Sequence, residues 1–335
     1  MSICNLKSYE IVQSRDLSDL SSKGTLLRHK KSGARVLLME NDDENKVFAI
    51  GFRTPPSDST GVPHIMEHSV LCGSREFPVK DPFVELDKGS LNTFLNAMTY
   101  PAKTVYPVAS CNDKDFQNLM DVYLDGVFHP SIYKEPKIFK QEGWHYELPS
   151  EDEPLTVNGV VYNEMKGAFS SPESVLERFT SSVLFPDTPY NNESGGDPAV
   201  IPNLSYEQFI QFHKDYYHPA NSYIYLYGDM DMEEKLLWLD KEYLFAYDKN
   251  DYNLDSSIAL QKPFSEPVEK ETVYSVTANE GTEDNTYLSL NTVVGTDIDP
   301  VLYVAFQILD YTLISAPGAP LKQALIDAYI GQDIM

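Results

Sequence analysis

Two histidines separated by three residues, with a glutamate directly before the second, form the segment HIMEH at residues 64–68 of this 335-residue chain. Pro63 precedes them, and proline suits the first turn of a helix because its missing N–H is not needed there. On a helix, residues i and i+4 lie on one face. The spacing therefore predicts a helix that presents His64 and His68 together, with Glu67 beside them.

This combination of side chains is suited to zinc chemistry. Two imidazoles at this spacing can hold one Zn²⁺ ion, and Glu67 can hydrogen-bond a water on that ion without being a ligand. Because zinc lowers the pKa of its water to about 7, a neighbouring carboxylate can accept the proton and generate hydroxide. The arrangement is the inverted zincin motif H-x-x-E-H. The alternative is a solvated polar helix face that carries two histidines.

A catalytic zinc site needs a third protein ligand and an open position. Composition alone leaves five candidates: Glu142, His145, Glu147, Glu164 and Cys111. The local pattern favours Glu164, in the segment GVVYNEMKG at residues 159–167. A carboxylate near the start of a helix, with apolar neighbours, can be held rigidly.

The charge balance limits the partners. Lys and Arg number 26 and Asp and Glu number 51, which gives a net charge of −25. Such a surface repels nucleic acid and anionic lipid, because phosphate binding needs clustered Lys and Arg. We therefore expect neither a nucleic-acid nor a membrane partner, and a preference for cationic ligands.

Cysteine usage and hydropathy indicate a compartment. The odd number and wide spacing of the three cysteines, Cys4, Cys72 and Cys111, are not typical of a disulfide framework, which points to a reducing environment. We see no signal, transit or transmembrane segment, and no apolar run that approaches the roughly 18 residues needed to span a bilayer. These observations predict a cytoplasmic protein.

Hydrophobic periodicity predicts strands first and helices later. The predicted strands lie at residues 25–29, 34–39, 47–53, 94–99, 105–109 and 223–227. One predicted helix contains the HIMEH motif, and another begins after an N-cap at Asn112. The others lie at residues 82–88, 163–185 with interruptions, 205–217 and 232–247. A turn at Lys31-Ser32-Gly33 joins the first two strands.

The pattern at the end of the chain repeats this order. An aperiodic, mildly acidic linker begins at about residue 249, and predicted strands at 272–278 and 286–294 precede a predicted helix from Pro300 to Ile314. We therefore expect one domain over residues 1–262 that carries the zinc site. An incomplete second copy of the same fold, without the motif, would occupy residues 263–335.

Four longer blocks extend the comparison beyond the motif. They are TGVPHIMEHSVLCGSREFPVKDPFVELDKGSLNTFLNAMTYPAKTVYPVAS at residues 60–110, KQEGWHYEL at 140–148, GVVYNEMKGAFSSPES at 159–174 and FHKDYYHPANSYIYLYGDMD at 212–231. Together these blocks resemble the presequence protease branch of the pitrilysin/insulinase zinc metallopeptidases. The resemblance covers most of the chain and is far more specific than the five-residue motif.

The resemblance implies roles for individual residues. His64 and His68 match zinc ligands, Glu67 matches the general base, and Glu164 matches the third ligand, 164 − 68 = 96 residues after the second histidine. One Zn²⁺ ion per chain is therefore expected. A further set should lie near the metal and orient its ligands. It comprises Glu142, His145 and Asn163.

The resemblance also implies a substrate-binding strand. The segment LNAMTY at residues 95–100 resembles the edge strand on which these proteases bind an extended peptide through its backbone. Asn96 and Ala97 are the positions we expect to contact substrate. The expected substrates are short unstructured peptides, such as targeting peptides, with a preference for cationic ones.

The fold implied by the resemblance is α+β. In this mitochondrial-processing-peptidase-like metallohydrolase fold, a two-layer unit packs helices on one face of an antiparallel sheet. The unit is duplicated, and two halves of the polypeptide enclose a chamber. The family's distal half supplies an Arg and Tyr pair that binds substrate. We expect this chain to be the N-terminal portion of a longer endopeptidase, able to bind zinc but with its own peptidase activity in doubt.

Two other functions compete with the endopeptidase. A non-catalytic, zinc-binding fragment or interaction subunit would keep the fold without turnover. A lyase of the S-ribosylhomocysteine type shares an H-x-x-E-H helix on a related fold but uses a cysteine as its third ligand. In that case Cys111 would replace Glu164.

Overall fold

The computed structural model describes residues 6–80, 82–277, 279, 281–283, 285–331 and 334. The chain divides into two compact units, Met1–Leu288 and Ser289–Met335. The strands, all in the first unit, are β1 (Tyr9–Leu17), β2 (Ser22–His29), β3 (Arg35–Glu40), β4 (Lys46–Arg53), β5 (Asn92–Leu95), β6 (Met98–Tyr100), β7 (Lys103–Ser110), β8 (His145–Glu147), β9 (Thr156–Asn158) and β10 (Ser222–Gly228).

Eight α-helices belong to the described part of the first unit and two to the second. Those of the first unit are α1 (Val62–Val70), α2 (Pro82–Gly89), α3 (Asp113–Phe128), α4 (Pro136–Glu142), α5 (Val160–Ala168), α6 (Pro172–Leu184), α7 (Tyr206–Tyr216) and α8 (Met232–Glu242). Those of the second unit are α9 (Pro300–Asp310) and α10 (Pro320–Asp327).

One eight-stranded sheet organises the first unit. Its order is β1-β2-β3-β10-β4-β7-β5, and β6 also pairs with β7. All pairs are antiparallel except β10 with β3. Because β10 lies between β3 and β4, a strand from late in the unit completes the sheet formed by the early ones. The α+β prediction is confirmed, and the parallel pair is an addition to the expected antiparallel sheet.

The predicted turn between the first two predicted strands is present between β2 and β3. The backbone N–H of Gly33 donates to the carbonyl of His29 at 2.9 Å. Gly33 has a φ of +81°, in the left-handed region that a residue without a Cβ adopts readily. The turn therefore fixes the register in which β2 and β3 pair.

One face of the sheet packs against helices. Alternate residues of β4, namely Phe48, Ile50 and Phe52, are at most 1% exposed, as expected for a strand with period two. They share one core with the apolar face of α3. The predicted N-cap of α3 is confirmed, since the Asn112 side chain accepts the N–H groups of residues 114 and 115.

Several boundaries differ from the prediction. β1 and the small β8–β9 hairpin were not expected. The interruption expected within residues 163–185 is present, because Ser171 caps a new helix at Pro172, and the first helix begins earlier, at Val160. The last predicted helix of the first unit ends at Glu242 and continues only as a short 3₁₀ turn, Leu244–Ala246.

The strands predicted after the linker are absent from the described residues of 272–277 and 286–294, and Ala278 lies outside the described residues. Leu288 and Leu290 are 86% and 100% exposed. An alternating sequence becomes a strand only where a partner strand and an apolar surface are available to it. The boundary at residues 262/263 and the second copy of the fold stay predictions.

The second unit confirms the helix predicted from Pro300 to Ile314. Asp299 caps α9 by accepting two backbone N–H groups, and a π-helical turn, Tyr311–Ser315, follows it. The stretch Pro300–Asp327 is long and apolar enough to cross a membrane, with a mean hydropathy of 1.2. The expectation that no run reaches this length was therefore wrong. Length and composition are weak evidence, because core helices of soluble proteins also meet these criteria.

Candidate metal centre

Helix α1 carries the HIMEH motif, and its packing determines which side chains of the motif face the core and which face a cleft. Gly61, with a φ of +71°, precedes the helix, and Pro63 lies in its first turn. Ile65 and Met66 are fully buried in the core. The opposite face presents His64, Glu67 and His68 to an open cleft. The predicted helix and its shared histidine face are confirmed, with ring centroids 4.9 Å apart.

Glu164 reaches both histidines from α5. His64 Nε2 lies 3.6 Å from Glu164 Oε1, and His68 Nε2 lies 3.8 Å from Glu164 Oε2. One ligand atom from each of the three residues lies within 4.8 Å of the other two. A tetrahedral zinc ion with bonds of about 2.0–2.2 Å places its ligand atoms roughly 3.4 Å apart. The donor set and its spacing therefore fit Zn²⁺.

The second nitrogen of each imidazole has an acceptor beside it. His64 Nδ1 donates to the carbonyl of Gly195 at 3.1 Å, and His68 Nδ1 donates to Glu142 Oε2 at 3.3 Å. Both acceptors require the proton on Nδ1, so in the neutral rings the Nε2 lone pairs are available to a metal. Glu142 thus contacts His68 from the side opposite Nε2, and its role in orienting a metal ligand stays a prediction.

The carboxylates around His68 decide its charge in the metal-free protein. Burial lowers the pKa of His68, but its hydrogen bond to Glu142 and the negative charges of Glu67, Glu142 and Glu164 outweigh burial and raise it. For Glu142, burial raises the pKa, while its bonds to His68 and Gln141 outweigh burial and lower it. Glu142 therefore stays ionised beside the histidine.

The cleft has a volume of about 620 Å³. Glu67 is only 7% exposed, yet it lines this cleft with the three candidate ligands. The cleft also contains an ion pair, in which Arg178 Nε donates to Glu193 Oε2 at 2.6 Å. A protected carboxylate beside a metal-ligand set is positioned to accept a proton there.

The predicted substrate positions lie at the edge of the sheet, in the same cleft. Asn96 and Ala97 connect β5 with β6. The carbonyl of Asn96 accepts from the Tyr123 hydroxyl at 3.2 Å, and the N–H of Ala97 donates to Asn96 Oδ1 at 2.9 Å. The next strand, β6, pairs with β7 and also lines the cleft through Met98.

Two predicted orienting residues are not placed at the ligands. His145 Nδ1 contacts the carbonyl of Lys140 at 2.7 Å, and Asn163 donates to Asn158 at 2.6 Å. Both line a separate depression of about 750 Å³. Asn163 precedes Glu164 in a helix, and successive helical residues do not face the same way. Their contacts therefore do not support the predicted role.

Two other ligand candidates also point elsewhere. Glu147 accepts from Asn158 at 2.6 Å, and Cys111, an exposed residue after β7, contacts Asn45 at 3.7 Å. Neither belongs to the three-residue group among the described residues. The cysteine-liganded site required by the lyase alternative is not formed.

Sequence reasoning missed the segment that contacts His64. Gly195 follows His64 by 131 residues, and it contributes a backbone carbonyl, which no side-chain pattern reveals. The Gly195-Gly196 pair indicates a loop but not its neighbour. Arg178 and Glu193 were missed for a similar reason. Arg178 lies on α6 and Glu193 lies after it, so their pairing depends on the path of the chain between them.

The first unit is an α+β fold whose sheet packs against the helix that bears His-x-x-Glu-His, and a glutamate from a distant helix lies beside the two histidines. This arrangement is typical of the inverted zincins, a class of metallohydrolases. The family described as "Insulinase (Peptidase family M16)" matches residues 47–148, and "Peptidase M16 inactive domain" matches residues 203–335. The chain belongs to this M16 family and is of the presequence-protease type.

Several relatives match nearly the whole chain. Protein HypA of Clostridium perfringens is 53% identical over 97% of the chain, and presequence protease 1 of Arabidopsis thaliana is 47% identical over 98%. The mouse mitochondrial presequence protease is 37% identical over 98%. The chain spans about a third of the length of these relatives, 33%, 30% and 32% respectively.

A solved structure supports the fold. The crystal structure of pitrilysin superposes with a TM-score of 0.56 at 18% identity, covering 73% of this chain and 25% of that chain. At this identity the likeness shows the fold alone.

Proposed function

We propose that this chain carries the zinc centre of an endopeptidase that degrades short unstructured peptides, targeting peptides among them, in an enclosed chamber. One observation carries the proposal: His64, His68 and Glu164 converge beside the protected Glu67 in an open cleft. The matches to proteins named presequence proteases support the substrate class.

The residues of the chain divide the chemistry between them. His64, His68 and Glu164 would hold Zn²⁺, which when bound polarises a scissile carbonyl and makes water more acidic. Glu67 accepts a proton from the attacking water and passes it to the departing amine. Glu142 and the Gly195 carbonyl hold the two imidazoles in the orientation that binding requires.

The charge and shape of the cleft favour an extended, cationic substrate. Its lining contains the carboxylates of Glu67, Glu142, Glu164 and Glu193 but only one Arg or Lys side chain among the described residues, that of Arg178. Such a surplus of negative charge attracts positive peptides. β6 would receive the peptide by strand addition next to Asn96 and Ala97. The distal half of the polypeptide would close the chamber.

Replacing the proposed base tests the mechanism. In the full-length protein, Glu67→Gln should reduce turnover of an unstructured cationic peptide by at least about 10³-fold, because the amide cannot accept the proton. Zinc content should stay at about one equivalent, since Glu67 is not a ligand. Peptide cleavage measured by mass spectrometry, with metal analysis alongside, gives both results.

Glu207→Gln, on the exposed first turn of α7, is the matched control and should leave turnover unchanged. Undiminished turnover by Glu67→Gln would remove the mechanism. Zinc binding by the full-length wild type without any peptide cleavage would favour the non-catalytic alternative. The cytoplasmic location expected from the sequence stays a prediction.

A further inference from the structure

A short segment after α6, residues 193–196, connects the two helices that carry the candidate ligands. Arg178 Nε donates to Glu193 Oε2 at 2.6 Å, and Glu193 Oε1 accepts the backbone N–H of Gly195 at 2.9 Å. The carbonyl of Gly195 then accepts from His64 Nδ1 at 3.1 Å. The chain of contacts therefore runs from an arginine side chain to a candidate metal ligand.

The other end of this chain of contacts lies on the helix of Glu164. Arg178 Nη1 donates to the carbonyl of Ala168, the last residue of α5, at 3.4 Å. Its guanidinium also lies over the ring of Phe169, 4.3 Å from the centroid. Arg178 thus holds the carboxyl end of α5 while its partner Glu193 holds the loop against α1.

Backbone packing leaves the loop little freedom beside α1. A Cβ on Gly61 would come within 2.6 Å of the Gly196 Cα, and one on Gly195 would come within 2.9 Å of the Met165 side chain. The contact at Gly61 is with backbone atoms, so glycine is required at residue 61, where the loop passes the start of α1, whereas the end of the Met165 side chain can move away from a Cβ on Gly195. The Gly195 carbonyl is consequently placed by both packing and the Glu193 hydrogen bond.

We infer that Arg178 and Glu193 are positioning residues for the metal centre, acting through the Gly195 carbonyl on the tautomer and orientation of His64. Partners of this kind keep the proton on one ring nitrogen and leave the other for the metal, and their loss typically costs 10–100-fold in metal affinity. The inference rests on the proposed zinc site. It adds to that proposal a device that ties α1 and α5 together.

The first test reads the tautomer without metal. In chelator-treated chain at pH 8, ¹⁵N–¹H spectra of labelled histidine should show His64 with its proton on Nδ1. Glu193→Gln should shift His64 toward a mixture of tautomers, because the neutral amide accepts the Gly195 N–H more weakly and no longer forms an ion pair with Arg178. Glu177→Gln, exposed and adjacent to Arg178 on α6, is the matched control and should match the wild type. An unchanged His64 spectrum in Glu193→Gln would overturn the inference.

The second test measures Zn²⁺ affinity by competition with a chromophoric chelator. Glu193→Gln and Arg178→Met should each weaken binding by about 10–100-fold. The double variant should lose no more than about the larger single loss, because both side chains act through one carbonyl. Affinities within about twofold of wild type, or fully multiplicative losses, would count against the pair.

Two controls keep the outcomes separate. Arg178→Lys retains a cation for Glu193 and should recover part of the Zn²⁺ affinity that Arg178→Met loses. If Arg178 had only a structural role, Arg178→Lys would bind Zn²⁺ no better than Arg178→Met. If the wild-type chain itself fails to bind Zn²⁺, the proposed function fails. The tautomer measurement still decides whether Glu193 positions His64.

Discussion

The contacts of Glu142 bear most directly on the protonation of the candidate ligand His68. Its carboxylate is 6% exposed, accepts from His68 Nδ1 at 3.3 Å and also accepts from Gln141 at 2.8 Å. The pKa of His68 is raised and that of Glu142 is lowered, although burial opposes both shifts, because each group favours the charged form of the other. Metal binding therefore competes with protonation of His68.

Removing that carboxylate should weaken the metal site without removing a ligand. Glu142→Gln should lower Zn²⁺ affinity by about 10–100-fold, because the amide is a poorer acceptor and no longer favours the Nδ1–H tautomer. The pKa of His68 should fall at the same time, since its nearest negative charge is gone. Chelator competition and NMR titration of the metal-free chain measure the two effects.

Glu147→Gln provides the control, because Glu147 is exposed on β8 and bonds to Asn158, away from the ligands. It should leave both quantities unchanged. Equal zinc affinity for Glu142→Gln and wild type would show that Glu142 has no part in orienting His68.

At the level of the elements, sequence patterns correctly predicted the features that depend on residues close together in the chain. The HIMEH helix, the Asn112 cap of α3 and the turn at Gly33 follow from residues near each other in sequence, and all three are confirmed. The partners of the ligands were not equally predictable. Glu142 came from resemblance, whereas Gly195 came only from the structure, since nothing local relates it to His64.

Errors at this scale also have physical causes. Residues 286–294 alternate like a strand, yet the described structure has no strand there. β1 was missed because most of its residues are exposed, so its sequence lacks the apolar alternation of a half-buried strand. Pairing depends on tertiary neighbours, and single-sequence periodicity does not report them.

Helix α7 is tied to the core by His213, a histidine whose neutrality affects stability. Its Nδ1 accepts from the Tyr133 hydroxyl at 2.8 Å, and its Nε2 donates to the Val127 carbonyl at 2.9 Å. Burial lowers the pKa of His213 from 6.5 to about 4, although the bond to Val127 opposes this. The folded protein therefore resists protonation at a residue where the unfolded chain accepts it.

Acid should weaken the fold through this residue. Between pH 6.5 and about 4, the unfolded chain binds a proton at His213 that the folded chain does not, so stability falls as pH is lowered. The contribution amounts to about 3 kcal/mol. Urea unfolding of wild type and His213→Gln at pH 7 and pH 4 isolates it, because other titrating groups are common to both.

The free energy of unfolding of wild type exceeds that of His213→Gln by an amount that should fall by about 3 kcal/mol between pH 7 and pH 4, because of the same linkage. His218→Gln serves as the comparison. Burial lowers the pKa of His218, but the charges of Asp251 and Asp248 oppose the shift, so its pH effect should be smaller. A constant difference between wild type and His213→Gln would mean that His213 does not titrate with unfolding.

At the scale of the whole first unit, the candidate ligands link segments that are far apart in sequence. The second histidine and Glu164 are 164 − 68 = 96 residues apart, on α1 and α5. An ion bound by both helices binds only the folded unit, because the unfolded chain does not hold these residues together. Zinc binding and folding of the unit are consequently linked.

Zinc should therefore raise the unfolding temperature of wild type and not that of a ligand variant. Free Zn²⁺ at 100 times its dissociation constant should add about 2.7 kcal/mol to the free energy of unfolding. Calorimetry of chelator-treated chain, with and without added Zn²⁺, measures the shift. Glu164→Gln should show a much smaller one, although its metal-free stability should stay within about 0.5 kcal/mol of wild type, because Glu164 is exposed. Equal zinc-induced shifts in the two proteins would place the bound metal elsewhere on the molecule and would remove the assignment of Glu164 as a ligand.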